Sequence, residues 1–297
     1  MIVVHYRAHD GVRRRAYILL PSWYGPKNNP PIPLVISPHG RGVSARANTK
    51  VWRGLPALGP FAVISPDGEG RKLKRFSWGS AGQIEDLARM PVIAHLTVPW
   101  LHVDTHRVYA LGGSMGGQET LLLLARHPRM LAGAAAFDAV TNFALQYRSF
   151  LRIPCSRVCH RTWNGPIGRS LQSLARQEVG GSPVGRPLAY SLRSPMTYAR
   201  TIAASCVPLQ LWWSVKDRIV LNQRYQSGVL YQRIVKLRPD APVTAFVGAW
   251  RHSAEMHAES RLPVALTALG LLPGKVKTSG VHVYPPASDA IGRTHGC

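Results

Sequence analysis

Residues 106–128, HRVYALGGSMGGQETLLLLARHP, decide the fold that we expect for this chain. β-branched and aromatic residues open the stretch, glycines surround Ser114, and a leucine-rich helical pattern follows. Glycines two residues before and two after the serine remove side chains that would clash in a sharp turn. The pattern G-x-S-x-G predicts a strand-to-helix turn that lifts the Ser114 hydroxyl above a sheet, with the N–H of Met115 pointing into the same space. The alternative is a tight turn whose serine only caps the helix.

Short apolar segments alternate with helical patterns along the rest of the chain. The strand-like segments are LVISP, FAVISP, RVYAL, GAAAF, LQLWWSV and VTAFVGAW. This alternation predicts an α/β fold with a mostly parallel central sheet flanked by helices. An N-terminal β-hairpin, with its turn at Asp10 and Gly11, precedes the sheet. Two helical patterns, AGQIEDLARMPVIAHLTV and SAEMHAESRLPVALTALGLL, are broken at Pro91 and Pro263, where a helix must kink or restart.

We expect a single domain over residues 1–297, with two segments that depart from the alternation. Residues 141–205 are rich in arginine, serine, glycine and proline and contain no clear strand. They predict a partly helical, lid-like insertion over the carboxyl edge of the sheet. Residues 273–297 predict an irregular or strand-like C-terminal tail.

The charge balance is strongly basic, with 37 Lys and Arg against 14 Asp and Glu and a net charge of +23. Such a surface attracts anions. The cations are scattered, with only the short clusters VRRRA and RKLKR, and no nucleic-acid-binding motif is present, so we expect no specific nucleic-acid partner. No apolar run approaches the roughly 20 residues of a membrane span. The first residues lack the order of a signal peptide, which leaves a cytoplasmic or a secreted location open.

A base and an acid are needed to activate a serine hydroxyl, and both should follow Ser114 in the chain. Asp217 comes directly after the strand-like LQLWWSV, at the end of the sheet where such an acid belongs, and Asp138 is the runner-up. His252 lies in a loop after VTAFVGAW, whereas His257 is expected inside the closing helix. The sequence therefore predicts a catalytic triad of Ser114, Asp217 and His252.

A second backbone donor for the reaction's oxyanion should follow the strand that ends in SPHGRG. The N–H of Arg41 is the predicted partner of the Met115 N–H, with Gly40 as the alternative, and Gly40 lets the backbone approach the substrate. Arg41 could also receive a substrate carboxylate through its side chain, although a solvated side chain is the simpler reading.

Three tryptophans close to the predicted catalytic loops are candidates for substrate binding. They are Trp78, Trp213 and Trp250, and packing in the core is the alternative for each. An aromatic acyl group would suit such a pocket.

The four cysteines give no strong signal. Cys155 and Cys159, followed by His160, form one weak cluster without a second ligand pair, so we expect no metal and no cofactor. The two cysteines could instead pair with each other or with Cys206.

The chain resembles the α/β-hydrolase-fold esterases, above all feruloyl-esterase-like and polyhydroxybutyrate-depolymerase-like enzymes and their prolyl-oligopeptidase-like relatives. The motifs that carry the resemblance, in their usual order, are SPHGRG, ISPDGEG, FSWGSAGQIEDL, HRVYALGGSMGG, RSPMTYA, LWWSVKDRIV and the histidine loop. They cover about residues 17–272. The resemblance implies the α/β-hydrolase fold and an ester-cleaving serine hydrolase that uses Ser114, Asp217 and His252. The insertion and the overall basicity depart from the group.

The expected function is cleavage of a small-molecule or polymeric carboxylic ester through an acyl-enzyme, with aryl or feruloyl-type esters as candidates. A peptidase or amidase of the prolyl-oligopeptidase type would use the same residues, and so would an acyltransferase. A non-catalytic, polyanion-binding protein on the same fold is a further alternative. Such a relative would be expected to lose one of the triad residues, and this chain keeps all three.

Overall fold

One mixed β-sheet organises the protein. The computed structural model describes residues 1–153, 167–276 and 278–285, and within them the sheet has nine strands in the order β1-β2-β4-β3-β5-β6-β7-β8-β9. The strands are β1 (Ile2–Arg7), β2 (Arg13–Leu19), β3 (Ile32–Ile36), β4 (Ala62–Pro66), β5 (Val103–Gly113), β6 (Gly133–Phe137), β7 (Leu209–Ser214), β8 (Val243–Gly248) and β9 (His282–Tyr284).

The central strands run parallel, as the sequence predicts. Each neighbouring pair from β4 through β3, β5, β6 and β7 to β8 is parallel, whereas the pairs β1 with β2, β2 with β4 and β8 with β9 are antiparallel. The N-terminal hairpin is confirmed. Strands β3, β4, β6 and β7 are buried along their whole length, which explains why their sequences are mostly apolar and do not alternate with polar residues.

Helices connect the parallel strands and cover both faces of the sheet. They are α1 (Ala45–Asn48), α2 (Leu55–Leu58), α3 (Ala81–Ala88), α4 (Met90–Thr97), α5 (Met115–Arg126), α6 (Phe143–Ser149), α7 (Ile167–Val179), α8 (Pro187–Leu192), α9 (Ala199–Ala204), α10 (Ser227–Leu237) and α11 (Leu262–Ala268). The break predicted near Pro91 is confirmed, because α3 ends at Ala88 and α4 restarts at Met90.

Two apolar clusters lie on the two faces of the sheet and hold it between the helices. One packs Leu34, Ala110 and Leu121 together, and the other stacks the ring of Trp212 on that of Phe246 at a centroid distance of 3.9 Å. Burying an aliphatic or aromatic side chain of this size stabilises a fold by about 1.5–3 kcal/mol. The clusters therefore fix the strand ends on which the loops of the candidate site are mounted.

The prediction for the closing helix was wrong at its start. Residues 251–261 form turns, and α11 begins only at Leu262, with Pro263 in its first turn. Proline is well tolerated there because the first N–H groups of a helix have no partner within it. His257 consequently lies in the loop that carries His252 and not on a helix. The tail is strand-like where β9 pairs with β8, so the strand alternative holds over His282–Tyr284.

The predicted insertion is helical where the structure describes it. Helices α6, α7, α8 and α9 account for most of it, and no strand occurs in its described residues. A third apolar cluster joins it to the body of the protein and includes Trp78, Met115, Phe143 and Tyr190. Cys155, Cys159 and His160 lie outside the described residues, and Cys206 is disulfide-bonded. No helix in the described ranges has both the length and the apolar character needed to cross a membrane.

Candidate active site

Ser114 lies on the sharp turn between β5 and α5 that the sequence predicts. Its backbone has φ 58° and ψ −121°, a conformation that non-glycine residues adopt rarely and at a cost of roughly 1–3 kcal/mol. Two glycines make the turn possible. A Cβ at Gly112 would lie 2.4 Å from the carbonyl oxygen of Gly116, and a Cβ at Gly116 would lie 2.3 Å from that of Pro38. A side chain at Gly112 would thus clash within the turn itself, and one at Gly116 would clash with the segment after β3, so either would force the backbone to shift.

His252 and Asp217 form a hydrogen-bonded pair. The Nδ1 atom of His252 donates to Oδ2 of Asp217 at 2.8 Å. Asp217 is buried, and its other oxygen accepts the N–H groups of Ile219 at 2.8 Å and Val220 at 3.0 Å. Because Nδ1 carries the proton that Asp217 accepts, Nε2 is the ring nitrogen left free to act as a base.

The loop after β8 brings His252 to the cavity that Ser114 lines. This cavity has a volume of about 330 Å³, and Ser114, His252, Gly40 and Arg41 all contribute to its wall. His257 lines it as well, because the loop continues to Arg261 before the helix starts. The predicted nucleophile, base and acid thus converge at the carboxyl edge of the sheet.

Asp138, the alternative acid of the sequence analysis, holds the backbone of the histidine loop. It is fully buried at the end of β6 and accepts the N–H groups of Ser214 and Ser253, each at 2.8 Å, and the Trp250 indole Nε1–H at 3.2 Å. Burial, and then the nearby charge of Asp217, raise the pKa of Asp138. Asp217 contacts the His252 imidazole, whereas Asp138 contacts Trp250 and Ser253, which come before and after His252 in the loop.

A further buried carboxyl, Glu255, lies beside this network. Its side chain is 1% exposed, no N–H or hydroxyl group among the described residues donates to its oxygens, and a side-chain hydrogen bond with Asp138 contributes to its raised pKa. Burial and the negative charge of Asp138 raise the pKa of Glu255 to about 10. Glu255 is therefore uncharged at neutral pH. Sequence reasoning missed it because the acid was expected between Ser114 and His252, and Glu255 follows His252 in the chain.

The candidate metal ligands near the site are already engaged. Atoms of Asp138, Asp217 and His252 that could bind a cation lie within 4.8 Å of one another. Asp138 and Asp217 accept backbone N–H groups, and Asp217 also accepts the imidazole proton. A cation here would compete with those N–H groups for the same oxygens. The three side chains are therefore arranged as a hydrogen-bonded network and not as a metal site.

The peptide between Gly40 and Arg41 is oriented by His39. Nδ1 of His39 donates to the Gly40 carbonyl at 2.8 Å, and the N–H of Val43 donates to the same oxygen at 3.1 Å. The N–H of Gly68 donates to Nε2 of His39 at 2.9 Å, and burial lowers the pKa of the ring. In a trans peptide the C=O and N–H point in opposite directions. Fixing the Gly40 carbonyl therefore directs the Arg41 N–H away from the His39 ring. This N–H has no hydrogen-bond partner among the described residues.

Met115, the other predicted oxyanion donor, is the first residue of α5. The first N–H groups of a helix have no carbonyl partner within it, and the Met115 N–H has none in the described residues. Its side chain is buried against Trp78, whose backbone N–H donates to the Met115 sulfur at 3.4 Å. The side chain thus anchors the start of the helix.

The structure does not bring the three predicted tryptophans together. Trp78 is 2% exposed and packs against Phe76, Phe143 and Phe150, while Trp213 is 7% exposed and packs beneath the sheet edge. Neither is among the residues that line the two cavities beside His252, whereas Trp250 lines the larger one. An aromatic pocket formed by all three is absent from the described part of the site.

Glu119 is a buried group behind the serine turn. It is 1% exposed, and the Ser77 hydroxyl donates to its Oε1. Burial raises the pKa of Glu119 to about 7, although hydrogen bonds from Ser77 and Gln83 oppose the shift. It lies one turn into α5, at the back of the helix whose start carries Met115.

No protein-family model matches the chain. Its fold is similar to that of dipeptidyl peptidase 4 from Porphyromonas gingivalis, with a TM-score of 0.63 and 16% sequence identity over 91% of this chain and 34% of that one. It is also similar to the acylaminoacyl peptidase of Pyrococcus horikoshii, with a TM-score of 0.60 and 15% identity over 86% of this chain and 38% of that one. The chain thus spans little more than a third of the length of either protein. At this identity the likeness establishes the fold, which is that of the α/β hydrolases, as the sequence predicts.

Proposed function

We propose that this chain, which has the α/β-hydrolase fold, is a serine hydrolase that cleaves carboxylic esters through an acyl-enzyme intermediate. One observation carries the proposal. His252, paired with Asp217 at 2.8 Å, lines the same cavity as a serine held on a strained turn. Strain of this kind persists only where the surrounding structure imposes it, and it commonly marks functional sites.

The first half of the reaction forms the acyl-enzyme. Nε2 of His252 takes the proton of the Ser114 hydroxyl as its oxygen attacks the ester carbonyl. Asp217 stabilises the imidazolium that results and keeps the ring in the required tautomer. His252 then gives its proton to the departing alkoxide, which leaves as an alcohol. In the second half, His252 takes a proton from water as its oxygen attacks the acyl-enzyme, and then gives that proton to the departing Ser114 oxygen, which releases the acid and the free serine.

Two backbone N–H groups stabilise the negative oxygen of each tetrahedral intermediate in this scheme. They belong to Met115 and Arg41, and both lack partners among the described residues. Donors that are fixed in place before the reaction need no reorganisation when charge develops, and one such donor is worth about 10²–10³ in rate. The hydrogen bond from His39 to the Gly40 carbonyl holds the second donor in position.

Cleavage of peptide or other amide bonds is the second candidate. It is favoured by the structural neighbours, which are named as peptidases. An amine is a poorer leaving group than an alcohol, so the same residues must protonate it earlier in the step. A chromogenic panel of matched p-nitrophenyl esters and p-nitroanilides separates the candidates, since an esterase turns over only the first set at an appreciable rate.

Labelling with a fluorophosphonate tests the proposal directly. The reagent should form one covalent adduct, and mass spectrometry should place it on Ser114. Ser253 is an internal control, because it lines the same cavity and has a buried hydroxyl without a partner among the described residues. Ser114→Ala should abolish labelling and lower ester cleavage by several powers of ten. An adduct on Ser253, or full labelling of the Ser114→Ala protein, would contradict the assignment.

A further inference from the structure

Four cationic residues line the two cavities beside the candidate catalytic residues. Arg41 lines the cavity of about 330 Å³ that contains Ser114 and His252. Lys216, Arg218 and Arg251 line an adjoining cleft of about 1180 Å³ that also reaches His252. Lys216 and Arg218 flank Asp217 in sequence, and Arg251 directly precedes His252, so the loops that mount the acid and the base also carry these charges.

None of the four cations has a carboxylate within 4.0 Å among the described residues. Three of them are exposed, but Arg41 is half-buried, and burial lowers the pKa of its guanidinium. A charge withdrawn from water without a partner is destabilising, and an anion that binds beside it relieves that cost. Arg41 is therefore better suited to a bound anion than to an empty cavity.

The walls of the two cavities offer almost no negative charge. Among the described residues that line either of them, Asp217 is the only acidic one, and it is buried and hydrogen-bonded to His252. A bound carboxylate, sulfate or phosphate would consequently face cations with little competition. A neutral substrate would gain nothing from these side chains, and a cationic one would be repelled.

Building on the proposed function, we propose that the natural substrate is an anionic ester, in which a carboxylate, sulfate or phosphate group binds to Arg41 and to the cations of the adjoining cleft. The charged group can belong to the acyl part or to the alcohol part. In either case the scissile carbonyl lies at Ser114, and the chemistry of acyl transfer is unchanged.

Three p-nitrophenyl esters of equal acyl length test the sign of the charge. They are the anionic mono-p-nitrophenyl glutarate, the neutral 5-methylhexanoate and the cationic 4-(trimethylammonio)butanoate. Charge-assisted hydrogen bonds to a guanidinium should raise kcat/KM for the anion about 10- to 100-fold over the neutral ester. The cationic ester should fall below the neutral one, and added NaCl should reduce both differences because the exposed charges are screened.

A second pair of substrates places the charge on the alcohol. The acetate esters of 4-(carboxymethyl)phenol and of 4-methylphenol have leaving groups of similar basicity and differ in charge. If the anion is favoured only in this pair, the charged group belongs to the leaving alcohol. If it is favoured only with the glutarate, the group belongs to the acyl part.

Variants identify the side chains that recognise the anion. The measured quantity is the ratio of kcat/KM for the anionic over the neutral ester, because this ratio cancels any general loss of activity. Arg41→Gln should lower it most, and the triple variant Lys216→Gln/Arg218→Gln/Arg251→Gln should lower it as well. Because the triple variant changes only exposed residues, it keeps the test valid if Arg41→Gln fails to fold. Arg129→Gln is the matched control, since Arg129 is exposed on the short helix Pro128–Met130 before β6, at the opposite edge of the sheet.

The outcomes separate this inference from the proposed function. If no ester of any charge is cleaved, the hydrolase proposal itself fails. If the neutral and anionic esters are cleaved with equal kcat/KM, the enzyme is an esterase and the anionic substrate is wrong. A preference that Arg129→Gln lowers as much as the cavity variants do would reflect the net charge of the protein and would also overturn the inference.

Discussion

Replacing Glu255 by glutamine should stabilise the protein increasingly as the pH rises. In the folded protein this carboxyl is 1% exposed and has a pKa far above its ordinary value of 4.5. The unfolded chain therefore releases the proton near pH 4.5, while the folded chain keeps it. The contribution of Glu255 to stability is complete below pH 4.5 and is lost progressively as the pH rises toward the folded pKa. Glutamine has no proton to lose, so it removes this dependence.

The size of the effect follows from the two pKa values. Between pH 5 and pH 7.5 the wild-type protein should lose about 3 kcal/mol relative to Glu255→Gln, at about 1.36 kcal/mol for each pH unit above the unfolded pKa. The result depends only on the folded pKa lying above the pH range of the assay. Any constant offset from the new amide group is the same at both pH values and cancels.

Urea unfolding at pH 5, 6, 7 and 7.5 measures the difference in unfolding free energy between the two proteins. Glu259→Gln is the control, because Glu259 lies in the same loop, has a side chain that is 61% exposed and pairs with exposed Arg53 at 3.2 Å. An exposed pair of this kind contributes at most about 1 kcal/mol, and its removal should give a nearly flat profile. If the Glu255→Gln difference stays constant to within about 0.5 kcal/mol, Glu255 is ionised in the folded protein and the reasoning is refuted.

Three other substitutions probe the machinery around Ser114 and His252. His39→Ala removes one of the two hydrogen bonds that hold the Gly40 carbonyl. It should lower kcat about 10- to 100-fold with little change in KM, because it disturbs the Arg41 N–H, a donor used mainly in the transition state; an effect on KM alone would speak against this role. Asp138→Asn leaves too few acceptors for three N–H donors. It should lower the unfolding free energy by about 1–3 kcal/mol in urea and should lower kcat in ester kinetics. Unchanged kinetics would show that Asp138 does not position His252. Gly116→Ala places a Cβ 2.3 Å from the Pro38 oxygen. It should lower the melting temperature and the activity together. A fully active and stable variant would show that the turn can relax.

The sheet could be predicted from sequence because each parallel strand contains a short, mainly apolar segment, and a polar residue or a glycine turn follows it. β6 ends before Asp138, and β7 ends shortly before Asp217. Parallel strands present their carboxyl ends at one edge, so residues that follow different strands meet there without any further information. That is why the pairing of Asp217 with His252 could be expected from the order of the motifs alone.

The positions of the residues that sequence reasoning misplaced are set by packing, and not by the order of the motifs along the chain. The apolar spacing does not show whether the closing helix starts near Ser253 or at Leu262. His257 was therefore predicted on a helix, whereas it lies in the loop that lines the cavity. Trp78 precedes the glycine of a turn, yet its ring is directed into the cluster beneath the insertion by Phe143 and Phe150, which are more than 60 residues away. Contacts of that sequence separation leave no local signal.

Many of the few acidic residues lie inside the fold and not on its surface. Among the described residues, six acids are buried, namely Asp86, Glu119, Asp138, Glu178, Asp217 and Glu255, against only two cations, Arg14 and Arg193. Carboxylates accept backbone N–H groups inside the fold, as Glu178 does from Arg71, Lys72 and Leu73. The surface is consequently more cationic than the sequence balance implies.

A generally cationic surface attracts any anion weakly and from every side, and salt screens that attraction. What can select one anion is a cation held in a confined place at a fixed distance from the reacting bond. Arg41 comes nearest to this condition because its own peptide is fixed by His39 and the residue is half-buried at the wall of the cavity of Ser114. Selectivity for anionic esters should therefore follow Arg41 far more closely than it follows net charge, and the contrast between Arg41→Gln and Arg129→Gln measures that difference.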